Sequence, residues 1–241
     1  MVSWLLCKLR NKVFSLCVKF HYIYYSLLYP GLCSKIANIL KLDERDIGFA
    51  NDEEPEQSLP GLDRHYKTGY YQYMLGRYLY SIKYIAGKSV LDCGCGLGWG
   101  SYLISDYPGA ILSIDLNKAA LDFANVTWRD QKLNFKRHSV LDLEGLNQEF
   151  DVILAYELIE HLRFDDGKLF IKQTWRALNE KGVLILSSWF PLGQKQEQES
   201  ELQKNKFHLH IYTRREIKDL LNKAGYSKVR FLGHMMVLAT K

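Results

Sequence analysis

One stretch constrains this chain more than any other: Val90-Leu91-Asp92-Cys93-Gly94-Cys95-Gly96-Leu97-Gly98-Trp99-Gly100. Glycine takes every second position from Gly94 to Gly100, directly after the apolar run at 88–92. A short β-run followed at once by alternating glycines reads as a strand–loop–helix junction, where the missing Cβ atoms let a ligand approach the backbone. Two common occupants are excluded by spacing. The dinucleotide fingerprint G-x-G-x-x-G needs glycine at 99 or 101, and those residues are Trp99 and Ser101. No lysine followed by serine or threonine continues the loop, so it is not a phosphate-binding P-loop. Asp92 stands at the loop entrance, where its charge repels a pyrophosphate and favours a cationic group. The next apolar run, 111–116, closes on Asp115 and Leu116. An acid at that place accepts hydrogen bonds from ribose hydroxyls.

Around this junction strands and helices alternate. Strands are expected at 88–92, 111–116, 133–139, 151–156 and 182–189, with helices at 99–105, 118–130 and 167–179 between them. The unbroken apolar start of 182–189 suits a sheet covered on both faces. Thr213 with Glu216 makes a capping box for a helix over 213–224, and Gly225 is its C-cap glycine. Runs at 226–232 and 235–240 close the chain as a hairpin about Gly233-His234. The pattern predicts an α/β fold: a doubly wound, mostly parallel seven-stranded sheet with a C-terminal antiparallel hairpin.

Upstream, the character differs. Residues 1–40 carry Lys8, Arg10, Lys12, Lys19 and Lys35 and no acid. No window offers the ~20 apolar residues of a spanning helix, and the charges interrupt any signal-peptide core. A basic amphipathic helix lying on a membrane surface and a helix packed on the main domain or a second subunit both fit. An acidic stretch from Asp43 to Glu56 follows and reads as an exposed connector. We therefore divide the chain into an N-terminal segment, 1–63, and a main domain, 64–241. A helix over 66–84 is crowded with tyrosines, which either line a pocket or pack by their rings. Five cysteines, an odd number in 241 residues, make no disulfide framework, and they point to a reducing, cytoplasmic setting. Net charge is +5, from 32 basic and 27 acidic residues. So mild an excess, with no dense basic run beside the loop, argues against a nucleic-acid partner.

With Val90–Gly98 and the later Ile159-Glu160-His161-Leu162, residues 88–190 resemble the core of class I S-adenosylmethionine-dependent methyltransferases. The resemblance implies S-adenosyl-L-methionine as cofactor and a site built residue by residue. Asp92, Gly94, Cys95 and Gly96 would hold its methionine part. Asp115 would bind both ribose hydroxyls and Leu116 would lie against adenine. Ala155 and Tyr156 would line the amino-acid end through their backbone. Where the family usually has Gly-Asp-Ala, this chain has His138-Ser139-Val140, so Ser139 and Val140 would meet the adenine, with Asp142 the nearest replacement acid. The implied activity is methyl transfer to an oxygen or nitrogen of a small molecule such as a sugar, glycan precursor or secondary metabolite. An RNA or protein methyltransferase and a non-catalytic S-adenosylmethionine-binding protein are the alternatives.

Glu157, Glu160 and His161 form E-x-x-E-H after the fourth strand, and one helical turn would bring all three together. His161, His208 and Glu160 are the candidate catalytic residues, with His210 behind them. A histidine near its ordinary pKa of about 6.5 removes a hydroxyl or ammonium proton at neutral pH. Two carboxylates and an imidazole also suit Mg²⁺ or Mn²⁺, and metal-assisted hydroxyl methylation stays open. The expectation is no metal, because a four-ligand set needs His208 to return across the sheet, which spacing alone does not establish. The expected partner is a small-molecule acceptor, with peripheral membrane contact through residues 1–40 and a homodimer also open.

Overall fold

A computed structural model of the chain describes residues 30–42, 70–191, 206–233 and 235–241. The basic segment before residue 30, the acidic connector, the polar tract at 194–205, His21, His65 and His234 lie outside the described residues.

Seven strands form one sheet in the order β3-β2-β1-β4-β5-β7-β6. They are β1 Ser89–Cys93, β2 Ala110–Asp115, β3 Leu133–Arg137, β4 Phe150–Tyr156, β5 Leu178–Ser187, β6 Lys228–Leu232 and β7 Met236–Thr240. The first five run parallel, and β7 pairs antiparallel with both β5 and β6. The doubly wound sheet and its closing hairpin are as expected from the pattern. The direction of strand order reverses between β1 and β4, so the carboxyl ends of these two strands flank the crevice where such sheets bind ligands.

Side chains alternate across the sheet. Val90, Ile111, Val152, Leu154 and Ile185 face one apolar layer, and Leu91, Cys93, Ile114, Ile153 and Leu184 face the other. The first layer is covered by α1 Pro30–Leu40, α2 Tyr70–Ile85, α3 Trp99–Ile104 and α4 Lys118–Thr127. The second is covered by α5 Phe164–Ala177 and α6 Arg214–Ala224. Helix α1 belongs to the stretch read as a separate N-terminal segment, yet Leu32, Ile36 and Ile39 are fully buried in the first layer. Lys35 fixes its position: Nζ donates to the Tyr102 carbonyl (3.1 Å), Ser105 Oγ (2.7 Å) and Asp106 Oδ1 (2.8 Å).

Three boundaries differ from expectation for physical reasons. Helix α4 stops at Thr127 rather than 130, because Trp128 turns extended and its indole N–H donates to the Leu97 carbonyl in the glycine loop at 2.7 Å. Strand β5 begins at Leu178 rather than 182. Leu178 pairs with Phe150, and the chain then bulges through Lys181 (φ 64°) before Val183 meets Val152. Helix α6 has its capping box, with Thr213 and Glu216 bonded reciprocally, and ends on Gly225 at φ 110°.

Candidate active site

The site forms at the carboxyl edge of the parallel strands, and its first half is backbone. Gly94, Gly96 and Gly98 all have positive φ, at 71°, 52° and 73°. The loop is tied to β2 by the N–H groups of Gly94 and Cys95, which both donate to the Ile114 carbonyl at 2.8 and 3.0 Å. Gly98 is needed twice over. A Cβ there would lie 2.5 Å from the Phe135 ring and 2.8 Å from Ala124 Cβ, on a backbone that side-chain-bearing residues seldom adopt.

Asp115, at the end of β2, accepts the Gly96 N–H on Oδ2 (2.8 Å) and the Asn117 N–H on Oδ1 (2.9 Å). A carboxylate has about four lone-pair sites, so capacity remains for two further hydroxyls. Leu116 beside it is 58% exposed, an apolar surface open to a flat ring. Ser139 is half-buried and accepts the Leu141 N–H at 3.2 Å. Asp142, the replacement acid, instead caps the turn Glu144–Leu146 by accepting the Gly145 N–H. Val140 is buried.

Asp92 is 1% exposed, at the junction of β1 and the loop. Its Oδ2 accepts from Ser101 Oγ (2.5 Å) and from the Tyr78 hydroxyl (3.1 Å), and Ser113 Oγ donates on to Ser101 (2.8 Å). Burial pushes its carboxyl up to about 7, opposed by those two hydrogen bonds. The expected cation-welcoming acid is therefore protonated for much of the time near neutral pH, and a cation arriving beside it favours the ionised form. Tyr78 is wedged edge-on between Trp99 and Tyr156, with centroids 5.2 and 4.8 Å away. The tyrosine-rich helix thus both packs by its rings and sends a hydroxyl to the site. Cys93 and Cys95 are buried thiols, and burial raises both well above the usual thiol range.

The second half, after β4, is assembled from side chains. The three acid–base residues of E-x-x-E-H do not converge. Glu157 takes a left-handed conformation (φ 50°), and the only helical turn that follows is the 3₁₀ turn Ile159–His161. Glu157 points to α2 and β5: its Oε1 lies 2.9 Å from Arg77 Nη1 and accepts from Tyr73 (3.0 Å) and Ser187 (2.8 Å). Arg77 is 6% exposed and lies over the Tyr73 and Tyr156 rings. This buried ion pair escaped the sequence reading. Its only signal was the i, i+4 spacing of Tyr73 and Arg77 on a helix already read as aromatic packing.

Glu160, His161 and His208 do come together. Leu209 N–H (2.7 Å) and His210 N–H (3.2 Å) both donate to the Glu160 carbonyl, which lays residues 207–210 alongside the 3₁₀ turn. His161 Nδ1 sits 3.1 Å from the Phe207 carbonyl, and the His161 and His208 rings are 5.1 Å apart, edge to face. A carbonyl only accepts, so Nδ1 carries the proton and Nε2 presents a lone pair. Glu160 is 3% exposed; burial and the charge of Glu157 push its carboxyl up, against the pull of His161 and a Ser188 hydrogen bond. His210 stands apart, stacked on Phe164 and Tyr212 and 3.9 Å from Glu216, with burial lowering its pKa.

The family model described as a methyltransferase domain matches residues 66–230. A probable S-adenosylmethionine-dependent methyltransferase of Mycolicibacterium smegmatis is 28% identical over 148 residues, covering 61% of this chain and 55% of that protein. A ubiquinone biosynthesis O-methyltransferase of Coxiella burnetii is 31% identical over 107 residues, 43% of this chain and 44% of that protein. The chain spans about half the length of the curated relatives it matches. An S-adenosylmethionine-dependent methyltransferase from Archaeoglobus fulgidus superposes with a TM-score of 0.59 at 14% identity, covering 70% of this chain and 94% of that one. Magnesium protoporphyrin IX methyltransferase from Synechocystis, solved with S-adenosylhomocysteine, gives 0.57 at 14% identity, covering 73% and 84%. At such identities the solved structures speak for the fold.

Proposed function

The chain belongs to the S-adenosylmethionine-dependent methyltransferases, and from that premise we propose that it methylates an oxygen or nitrogen atom of a small molecule. The bound donor supplies an activated methyl group on a sulfonium. What remains for the protein is binding, alignment and removal of the acceptor's proton. Asp115 has spare acceptor capacity for a ribose, and the positive-φ glycine loop leaves room for the donor against the backbone. Asp92 offers a carboxylate to its cationic end, and Arg77 is a buried cation suited to its carboxylate.

The observation that carries the acceptor reading is the Glu160–His161–His208 cluster. It lies beyond β4, on the side the donor leaves free, with His161 Nε2 oriented by the Phe207 contact. A lone pair so fixed suits ionisation of a hydroxyl or ammonium group. The surroundings favour a small acceptor over a polyanion. Glu160, Asp165, Asp166 and Glu216 all act electrostatically on the Tyr212 hydroxyl, so the rim is acidic. Nucleic acid is drawn by the opposite sign.

The test is to incubate the protein with methyl-labelled S-adenosylmethionine and fractionated cell extract. Label should appear in the low-molecular-weight fraction, with mass analysis locating it on oxygen or nitrogen. Label confined to RNA or protein overturns the reading.

A further inference from the structure

We propose that Glu160, His161 and His208 bind a divalent first-row transition-metal ion, which holds the oxygen of the acceptor. The proposal rests on the acceptor reading above and narrows it to a hydroxyl.

The ligand atoms of these three residues all lie within 4.8 Å of one another. Around a tetrahedral ion with bonds of about 2.0–2.1 Å, neighbouring ligands stand about 3.4 Å apart, a contraction of about 1.4 Å that side-chain rotation supplies. Glu160 brings the second observation. Its Oε2 is buried and has no hydrogen-bond partner among the described residues. An acceptor-only oxygen in that position costs stability unless something positive meets it. The buried guanidinium of the neighbourhood, Arg77, is drawn instead to Glu157.

The imidazole geometry points the same way. A metal-ligating histidine donates its other ring N–H to a carbonyl or carboxylate, which fixes the tautomer and the ring. His161 Nδ1 has that partner in the Phe207 carbonyl, leaving Nε2 for the ion. Phe207 adjoins His208, and the next two residues clamp the Glu160 carbonyl, so one short segment orients all three ligands. The acidic rim adds attraction for a cation.

Two nitrogens and one carboxylate oxygen select the ion's class. Such a set suits Zn²⁺, Mn²⁺, Fe²⁺ or Co²⁺ rather than Mg²⁺, which takes oxygen ligands and keeps water. Three protein ligands leave a position open, as in catalytic rather than structural sites. An acceptor hydroxyl there loses its proton to water. The oxygen's lone pair then forms the new C–O bond, and the electrons of the broken C–S bond return to sulfur. Glu157 is no part of the set, although it belongs to the same sequence motif.

The experiment uses the full chain, stripped with a chelator and titrated with Co²⁺ and with Zn²⁺. We expect one equivalent to bind, with visible Co²⁺ absorption of low-symmetry nitrogen–oxygen coordination. His208→Ala and Glu160→Gln should each weaken binding by about 100-fold, at least the effect of losing a metal's outer-shell partner. Glu157→Gln should leave metal affinity unchanged. S-adenosylhomocysteine affinity, measured on the same samples, reports that the fold and donor pocket are intact. Donor binding without metal binding overturns this proposal and leaves the methyltransferase reading standing; metal binding without donor binding does the reverse. If His208→Ala binds metal like the parent, or Glu157→Gln loses it equally, the ligand assignment is wrong.

Discussion

Beyond β1 and β2 the site is built from backbone held close to its own strand; beyond β4 and β5 it is built from side chains brought from far along the chain. The glycine loop is tied to β2 through Ile114 and Asp115, some twenty residues away. The acceptor side needs Phe207 against His161, 46 residues apart, and Tyr73 against Glu157, 84 apart. The first half is therefore preset by local conformation, and the second exists only once α2, β5 and the 206–212 segment have docked. Pre-organisation by backbone suits a donor that never varies. Assembly by side chains suits an acceptor that differs between relatives on one fold.

The largest expected effect breaks the acceptor half alone. His161→Ala should lower turnover by about 10²–10⁴-fold, or about 3–5 kcal/mol in the barrier, with donor affinity unchanged. Steady-state kinetics beside S-adenosylhomocysteine calorimetry separates the two quantities. Parent-like turnover at saturating donor and acceptor would move the chemistry to His208 or His210.

The next strikes the donor half through its backbone. Gly98→Ala places a Cβ 2.5 Å from Phe135 on a backbone at φ 73°. Strain and overpacking together should remove about 3 kcal/mol of stability. Chemical denaturation measures it, and an unchanged midpoint would show that the loop is not preset.

Asp115→Ala acts on the same half without straining it. Removing acceptors for two hydroxyls should weaken donor binding by about 1.5–3 kcal/mol, while thermal melting stays close to the parent. Equal donor affinity in the variant would dismiss the ribose assignment.

What was legible in the sequence follows the same division. Asp92, Gly94, Gly96 and Asp115 lie within one β–loop–α–β unit, so their proximity is a local consequence of chain order. The capping box at Thr213 and Glu216 was legible for the same reason. The E-x-x-E-H turn was misread because i, i+3 and i+4 spacing converges only on a continuous helix. Glu157 is left-handed and faces another element. The return of His208 could not be read either, because backbone hydrogen bonds from Leu209 and His210 to Glu160 leave no mark on spacing. Ser101 and Tyr78, which tune Asp92, were hidden among ordinary helix residues.

The smallest effect sharpens the comparison by titrating the donor half. The Asp92 carboxyl ionises near 3.8 in an unfolded chain and at about 7 in the folded one. Between those values the unfolded chain has released its proton and the folded chain still holds it. Stability contributed by this group thus falls as pH rises through that window and levels off above about 7. Donor binding should run the other way. A sulfonium or ammonium beside Asp92 interacts best with the ionised form, so its arrival pulls the pKa down and binding takes up the deprotonated state. At pH 6 only about a tenth of the free protein carries that charge, so S-adenosylhomocysteine, which keeps the ammonium, should bind up to about tenfold more weakly than at pH 8. Asp92→Asn keeps an oxygen for Ser101 and Tyr78 but cannot ionise. It should flatten both profiles, the rise in donor affinity and the decline in stability, while the acceptor-side histidines continue to titrate in kcat. A donor-affinity profile as steep in Asp92→Asn as in the parent would assign the pH dependence to another group and leave Asp92 a purely structural role.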